Sequence, residues 1–374
     1  MTVTGGRSLL SWATVVPLVA LVALLSMWSL HPSDPIVLTV LAALLVGAVL
    51  SAVHHAEVIA HRVGEPYGSL ILAVAVTVIE VGLIVMLMTS GSESTSTYAR
   101  DTVFAAVMIT LNGIVGASLL VGALKHRLVS FNPTGTGSAL STVVALAGLT
   151  LVLPSYTTSG EGRTYSASQL AFAAIASATL YVSFVLTQTG QHRDFFLPVS
   201  ADEYGRMTGV LDEDGDDHAD PPSAAVAWRS LALLLAALVS VVGLAKLLSP
   251  TIEDAVRALD LPYAVVGVVI ALMVLAPESI AAIRNASRDR VQISLNLAYG
   301  SAMASIGLTV PTIAIAMIWI DGPLELGLEQ THVVLLALSV IVAVLTVVQG
   351  RAKALQGIVH LVLFAAFLFL SIFP

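Results

Sequence analysis

The chain has 374 residues, 57% of them hydrophobic and only 11% charged, with a formal net charge of −8 and no cysteine. Soluble domains carry about a quarter charged residues, so this composition excludes a solvated globular surface, and the acidic balance excludes a nucleic-acid partner. Without cysteine there is no disulfide, thiolate nucleophile or Cys-based metal site.

Apolar runs of about twenty residues recur along the whole length, the mark of a polytopic helical membrane protein. The runs place eleven transmembrane helices at 8–30, 36–56, 66–89, 102–124, 137–153, 168–188, 225–247, 262–284, 291–319, 331–349 and 353–372. The first follows Arg7, is too long for a signal-peptide core and has no small-x-small cleavage site before Leu30. It reads as an uncleaved extra helix within residues 1–35. The second ends in "VHHAEVIAHRVGEP", where His54, Glu57 and His61 fall at i, i+3 and i+7 on one helical face while His55 points elsewhere. Histidine titrates near neutrality, so this face reads as a proton-access or pH-sensing cluster, or more plainly as a solvated interfacial helix end. The third span holds "AVAVTVIEVGLIVML", residues 73–87, apolar apart from Glu80 and Thr77. An ionisable side chain inside a span reads by default as a functional residue.

The break between spans six and seven, residues 189–224, is the one long polar segment. From Asp202 to Asp220 it has eight acidic residues and Arg206, a net −7. It reads as a solvated connector or a cation-attracting segment, but not as an EF-hand, whose loop needs a later glycine and a glutamate at its twelfth position. With the N-terminus inside, Arg100, Arg163, Lys246 and Arg257 face outward, and the other twelve of the 16 basic residues face inward. The positive-inside rule therefore makes the linker cytoplasmic.

The first half recurs in the second. "PYGSLILAVAVTVIE" ends at Glu80 and "PYAVVGVVIALMVLAPE" at Glu278; Arg100-Asp101 is echoed by Arg288-Asp289, and "GIVGAS" (Gly113–Ser118) by "GSAMAS" (Gly300–Ser305). The loop charges make the copies antiparallel, giving two inverted five-helix repeats at 36–188 and 225–374. Such repeats are an architecture of secondary transporters with a site at the bilayer midplane. Glu80 lies about 21 Å along its helix from Pro66, and Glu278 about 24 Å from Pro262, at 1.5 Å per residue. The two acids thus reach the middle of the membrane from opposite sides.

Two neighbouring carboxylates in a low dielectric do not both stay ionised without a cation. Either protons neutralise them or a cation does, and that mutual exclusion is the physical content of proton/cation antiport. Oxygen ligands suit calcium, magnesium or alkali ions such as sodium and potassium rather than soft metals. Pro277 removes one helical hydrogen bond beside Glu278 and frees a carbonyl. Thr77, Asn112, Ser118, Ser301 and Ser305 offer further oxygens, although small residues at such positions also serve plain helix packing. Arg100-Asp101 and Arg288-Asp289 read as caps and interface charges. No zinc-protease or nucleophile-elbow motif is present, so the chain reads as a transporter rather than an enzyme. A cation channel is the alternative from another class.

The segments "HHAEVIAHRVGEPYGSLILAVAVTVIEV" and "APESIAAIRNASRDRVQISLNLAYGSAMASIGLTVP", with the acidic linker between the halves, resemble the cation/calcium exchanger superfamily, and most of all its bacterial calcium/proton and sodium–potassium/proton antiporter branch. The resemblance implies an extra helix before a five-plus-five inverted fold. It carries the repeat glutamates onto Glu80 and Glu278, and the glycine–serine segments onto Gly113–Ser118 and Gly300–Ser305. It also implies an inner-membrane location, calcium as the first-choice substrate with sodium or potassium next, and no cofactor beyond the transported ions. Many relatives have an asparagine three residues before each glutamate; here those positions are Thr77 and Leu275.

Overall fold

A computed structural model describes residues 11–28, 30, 33–64, 67–89, 96–160, 162–190, 192–197, 222–320 and 322–374. Pro66 and the acidic stretch 202–220 lie outside these. Among the described residues, ten helices are long and apolar enough to cross a membrane, joined by a shorter N-terminal helix of 16 residues. Over the described residues each expected span is helical in the main, with several boundaries displaced. The helix expected to stop at 247 runs on to Ala258 and that expected to stop at 56 to Val63; those expected from 102 and 137 begin at Tyr98 and Pro133, and the first ends at Met27 rather than at 30. The chain is a multi-pass helical membrane protein. Its only strands among the described residues are the two-residue β1 (Val129–Ser130) and β2 (Arg351–Ala352), paired antiparallel.

The helices form two compact units. The first unit holds α1 (Trp12–Met27), α2 (Pro35–Val63), α3 (Tyr67–Met88) and α8 (Ala224–Ala258). Asp34 caps α2 by accepting from the backbone amides of Ile36 and Val37, with Pro35 at the first helical position where its missing N–H is harmless. Pro17 sits inside α1 and cannot donate to the carbonyl of Ala13, four residues before it. Two side chains of α2 replace that donor: Ser51 Oγ and His55 Nε2 each lie 2.8 Å from the Ala13 oxygen, and all three residues are buried. The proline that would weaken α1 therefore creates the acceptor that fastens it to α2. Ser51→Ala is expected to lower stability by about 1 kcal/mol, and Ser51→Ala with His55→Leu by about 2–3 kcal/mol, since the second change leaves a buried carbonyl without either donor. Thermal unfolding in detergent would measure both; equal midpoints for the double variant and wild type would refute the account.

The second unit holds α4 (Tyr98–Met108), α5 (Val115–His126), α6 (Pro133–Ala147), α7 (Ala167–Thr189), α9 (Ala264–Ala286), α10 (Val291–Ala316), α11 (Gln330–Val347) and α12 (Ala354–Ile372). α4 and α5 are one span, joined by a π-helical turn at Ile109–Ile114. α6 is likewise followed by a π-helical turn at Gly148–Val152. The α4–α5 span is the most buried in the unit and forms its centre. α12 lies against α5 where Gly116 and Gly357 meet: a Cβ on Gly357 would stand 2.6 Å from the Leu120 nitrogen, so only glycine allows this approach. α9 lies equally close to α4, since a Cβ on Gly267 would stand 2.9 Å from the Thr102 nitrogen.

One end of this unit is tied by polar contacts between residues 155–165 and 324–329. Ser155 Oγ donates to the Leu328 carbonyl at 2.7 Å, and the Gly327 amide to the Arg163 carbonyl at 3.0 Å. Arg163 Nη1 donates to Glu329 Oε1 at 2.7 Å. That hydrogen bond, before any other influence, holds the Glu329 carboxyl below its ordinary value of 4.5, although partial burial opposes it. A depressed folded-state value stabilises the fold above the ordinary carboxylate range, and the contribution is lost as pH falls through the folded value. Both side chains are about half exposed, so solvent screening keeps the effect under about 1 kcal/mol. The stability difference between wild type and Glu329→Gln is expected to be present at neutral pH and gone in strong acid; a difference that grows on acidification would contradict this.

Candidate functional site

Glu80 lies in α3, in the first unit, 2% exposed in a mostly apolar helix. Thr77, one turn earlier, is also buried. These two expected site residues therefore share one helix face. Residues 67–89 themselves contain no lysine or arginine. Leu275, the position equivalent to Thr77 in the second copy, is buried in α9.

Glu278 lies in α9, in the second unit, half-buried, directly after Pro277. The helix continues through that proline, so the carbonyl of Met273, four residues before it, has no backbone donor from position 277. Asn112, Ser118, Ser301 and Ser305 all fall in the same unit as Glu278. Ser301 and Ser305 are one turn apart on α10, the first half-buried and the second buried. Ser118, on α5, is fully buried and its hydroxyl has no hydrogen-bond partner among the described residues.

Asn112 differs from the bare oxygen donor that its sequence position suggests. It sits in the π-helical turn and both ends of its amide are engaged. Its Nδ2 donates to Ser339 Oγ of α11 at 2.8 Å, and its Oδ1 lies 3.3 Å from His360 Nδ1 of α12. Ser339 Oγ in turn donates to the Leu335 carbonyl at 2.8 Å, and His360 Nε2 lies 3.2 Å from Thr346 Oγ1. Asn112, Ser339 and His360 are wholly buried. Sequence reasoning passed over His360, Ser339 and Thr346. The available signal was an imidazole in the otherwise apolar run 354–372, which the rule for ionisable residues inside spans would have flagged.

The expected histidine face is divided by its surroundings. His54 is half-buried with its ring 5.8 Å from that of Trp12, while Glu57 and His61 are exposed. His55 does point elsewhere, onto α1.

The expectation that the two Arg-Asp pairs act as caps is corrected. Arg100 and Asp101 form an ion pair at 2.7 Å inside the first turn of α4, both nearly buried, and Thr97 rather than Asp101 is the N-cap. Arg288 and Asp289 instead sit exposed between α9 and α10, with Asp289 at φ 62° in the left-handed region that aspartate tolerates. The two echoes in sequence thus have different environments. Among the described residues, no group of three or more His, Asp or Glu side chains is arranged to hold a metal ion.

Ten long apolar helices among the described residues, one of them with a buried glutamate, define the class as a polytopic membrane protein. The sequence profile of the sodium/calcium exchanger protein family matches residues 33–190 and 229–373, and the chain belongs to that family. It is 42% identical over 369 residues to the y4hA protein of Sinorhizobium fredii, spanning 97% of this chain and 96% of that one. It is 33% identical to the sodium-potassium/proton antiporter ChaA of Escherichia coli, spanning 95% and 94%. Its fold is that of native YfkE, with a TM-score of 0.69 at 16% identity over 97% of this chain and 100% of that one. It is equally that of the H+/Ca2+ exchanger CAX, with a TM-score of 0.69 at 16% identity over 96% and 88%.

Proposed function

We propose that this chain is a proton-coupled cation antiporter of the bacterial inner membrane, with Glu80 and Glu278 as the groups that hold either protons or the cation. The observation that carries the reading is the burial of Glu80 within an apolar span of a sodium/calcium exchanger family member. A carboxyl there is costly unless protonated or matched by positive charge. Exchange of one neutralising partner for the other is a transport half-cycle.

The reading includes two inverted repeats, 36–188 and 225–374, after the extra helix at 1–35, with the N-terminus and the linker 189–224 cytoplasmic. The family profile matches one segment in each half. Helix contacts within the second unit also support a repeat. α7 lies along α10 and α12 along α5, and α6 packs on α11; each of these relations maps onto itself or its mate when the halves are exchanged. In alternating access, the two halves would expose the acids to one side and then the other. Nothing in this scheme calls for a covalent step, so the chain is proposed to be a transporter and not an enzyme.

Calcium is the first-choice substrate, since two carboxylates neutralise one divalent ion, and Ca2+/H+ antiporter is the printed name of a relative from Aphanothece halophytica that is 25% identical. A monovalent reading is favoured by a specific observation. Thr77 and Leu275 stand where an amide oxygen would complete a calcium shell, and Leu275 offers no ligand at all. The 33% identical relative is a sodium-potassium/proton antiporter by name. Everted vesicles with a preset proton gradient, challenged with calcium, sodium and potassium chloride in turn, decide between the ions. A gradient that none of the three salts dissipates would overturn the antiport reading.

A further inference from the structure

We propose that the first unit holds one phosphatidylethanolamine molecule in a cleft at the membrane interface, with Lys246 on its phosphate and Glu253 on its ammonium. The cleft measures about 590 Å³, within the usual range of ligand sites. It is lined by Trp28, which follows α1, by Met86 and Thr89 at the end of α3, and by Lys246, Thr251 and Glu253 of α8. Lys246 lies about 33 Å along α8 from Ala224 at 1.5 Å per residue, about the thickness of the hydrocarbon layer. α1 and α3 end at the same level, at Met27 and Met88. The cleft therefore stands at headgroup depth, where tryptophan and lysine anchor membrane proteins. α8 runs on to Ala258 and carries Thr251 and Glu253 beyond that level.

Two opposite charges in one cleft select the chemistry. Lys246 Nζ sits 5.6 Å from the centroid of the Trp28 ring, and among the described residues no acid forms an ion pair with it. The ring attracts the ammonium but leaves its N–H donors for a phosphate. Glu253 is two helical turns further along the same side of α8. Ser249, itself buried, donates its hydroxyl to Glu253 Oε1 at 3.3 Å and steadies the carboxylate. Pro250, in the wall between the two charges, cannot donate to the Lys246 carbonyl, so α8 carries an acceptor there without its usual backbone donor. A simple cation is repelled by Lys246 and a simple anion by Glu253. A phosphate joined to a primary ammonium by two carbons satisfies both, since the phosphate accepts from Lys246 and the ammonium donates to Glu253. A choline headgroup has the same charges but no N–H, and a glycerol headgroup has no cation. The apolar side of the cleft, with Leu30, Met86 and Leu247, is where the acyl chains enter the bilayer. The site is independent of whether the chain exchanges cations.

Native mass spectrometry of the delipidated full chain, titrated in detergent with each lipid separately, tests this. Phosphatidylethanolamine is expected to fill its tightest site at least about fivefold more tightly than phosphatidylcholine or phosphatidylglycerol, the gain of charge-assisted hydrogen bonds at a partly exposed site. Lys246→Gln and Glu253→Gln are each expected to bring that ratio below about twofold, and Lys246→Arg to preserve it. A fold defect would weaken all three lipids alike, so the ratio between lipids is the readout, and the wild-type ranking decides even where a variant fails to fold. Phosphatidylglycerol binding as tightly as phosphatidylethanolamine would mean a site for anionic headgroups and overturn the proposal. So would a preference for phosphatidylethanolamine that survives both glutamine variants, or equal binding of the ethanolamine and choline lipids. Displacement of the lipid by an equal concentration of glycerophosphoethanolamine would mean a site for a water-soluble zwitterion, and likewise overturns it.

Discussion

Glu80→Gln is expected to abolish cation-dependent dissipation of the proton gradient, lowering the rate at least about a hundredfold, or ~2.7 kcal/mol, while the protein still inserts and folds. Glutamine keeps the size and much of the hydrogen bonding of a protonated carboxyl but cannot release a proton or balance a cation's charge. It therefore mimics one half of the cycle and forbids the other. The fold tolerates it because a neutral group is less costly than a charge at a site that is 2% exposed. Glu278→Gln is expected to behave alike, through α9 of the other unit. Intact exchange in either variant, at wild-type expression, would remove that carboxyl from the mechanism. Normal cation-coupled flux in Glu80→Gln would in addition remove the observation on which the functional reading stands.

Asp101→Ala is expected to be the most destabilising single change outside the proposed ion path. Arg100 Nε and Asp101 Oδ1 are 2.7 Å apart with side chains 7% and 4% exposed. Among the described residues, the other acid within ion-pair range of Arg100 is Glu325, at 4.0 Å and a third exposed. Removing one member of a buried pair strands the other charge in low dielectric and costs about 3–5 kcal/mol. Removing both by Arg100→Ala with Asp101→Ala costs less than the single change, because no isolated charge is left. Size-exclusion behaviour and thermal midpoints in detergent, compared across the single and double variants, measure the difference. A double variant worse than Asp101→Ala would mean that packing, not charge, dominates. Gly267 lies close to Asp101 on the neighbouring α9, so packing is the specific competitor.

The helices were legible in the sequence because the bilayer imposes one solution on any long apolar run, in which the backbone satisfies its own polar groups. The extra N-terminal helix, the recurrence of the Glu80 segment at Glu278 and the burial of Glu80 could all be read from the order of residues. Two kinds of feature could not. The environment of a motif is one: Arg100-Asp101 and Arg288-Asp289 are alike as strings, yet one pair is buried within a helix and the other exposed between helices. The other is long-range polar pairing, as when Ser51 and His55 compensate for Pro17 across two helices, or when His360 finds Asn112 across a separation of 248 residues.

The sequence by itself determined which segments cross the membrane and which of them carry an acid, since both depend on local transfer free energies that add along the chain. The grouping of α3 with α8, and of α4 with α9, was decided only by tertiary structure. So was the pairing of Asn112 with Ser339 and His360. Those outcomes depend on which small residues let two helices touch and on which donor faces which acceptor, and neither is encoded within a single helix.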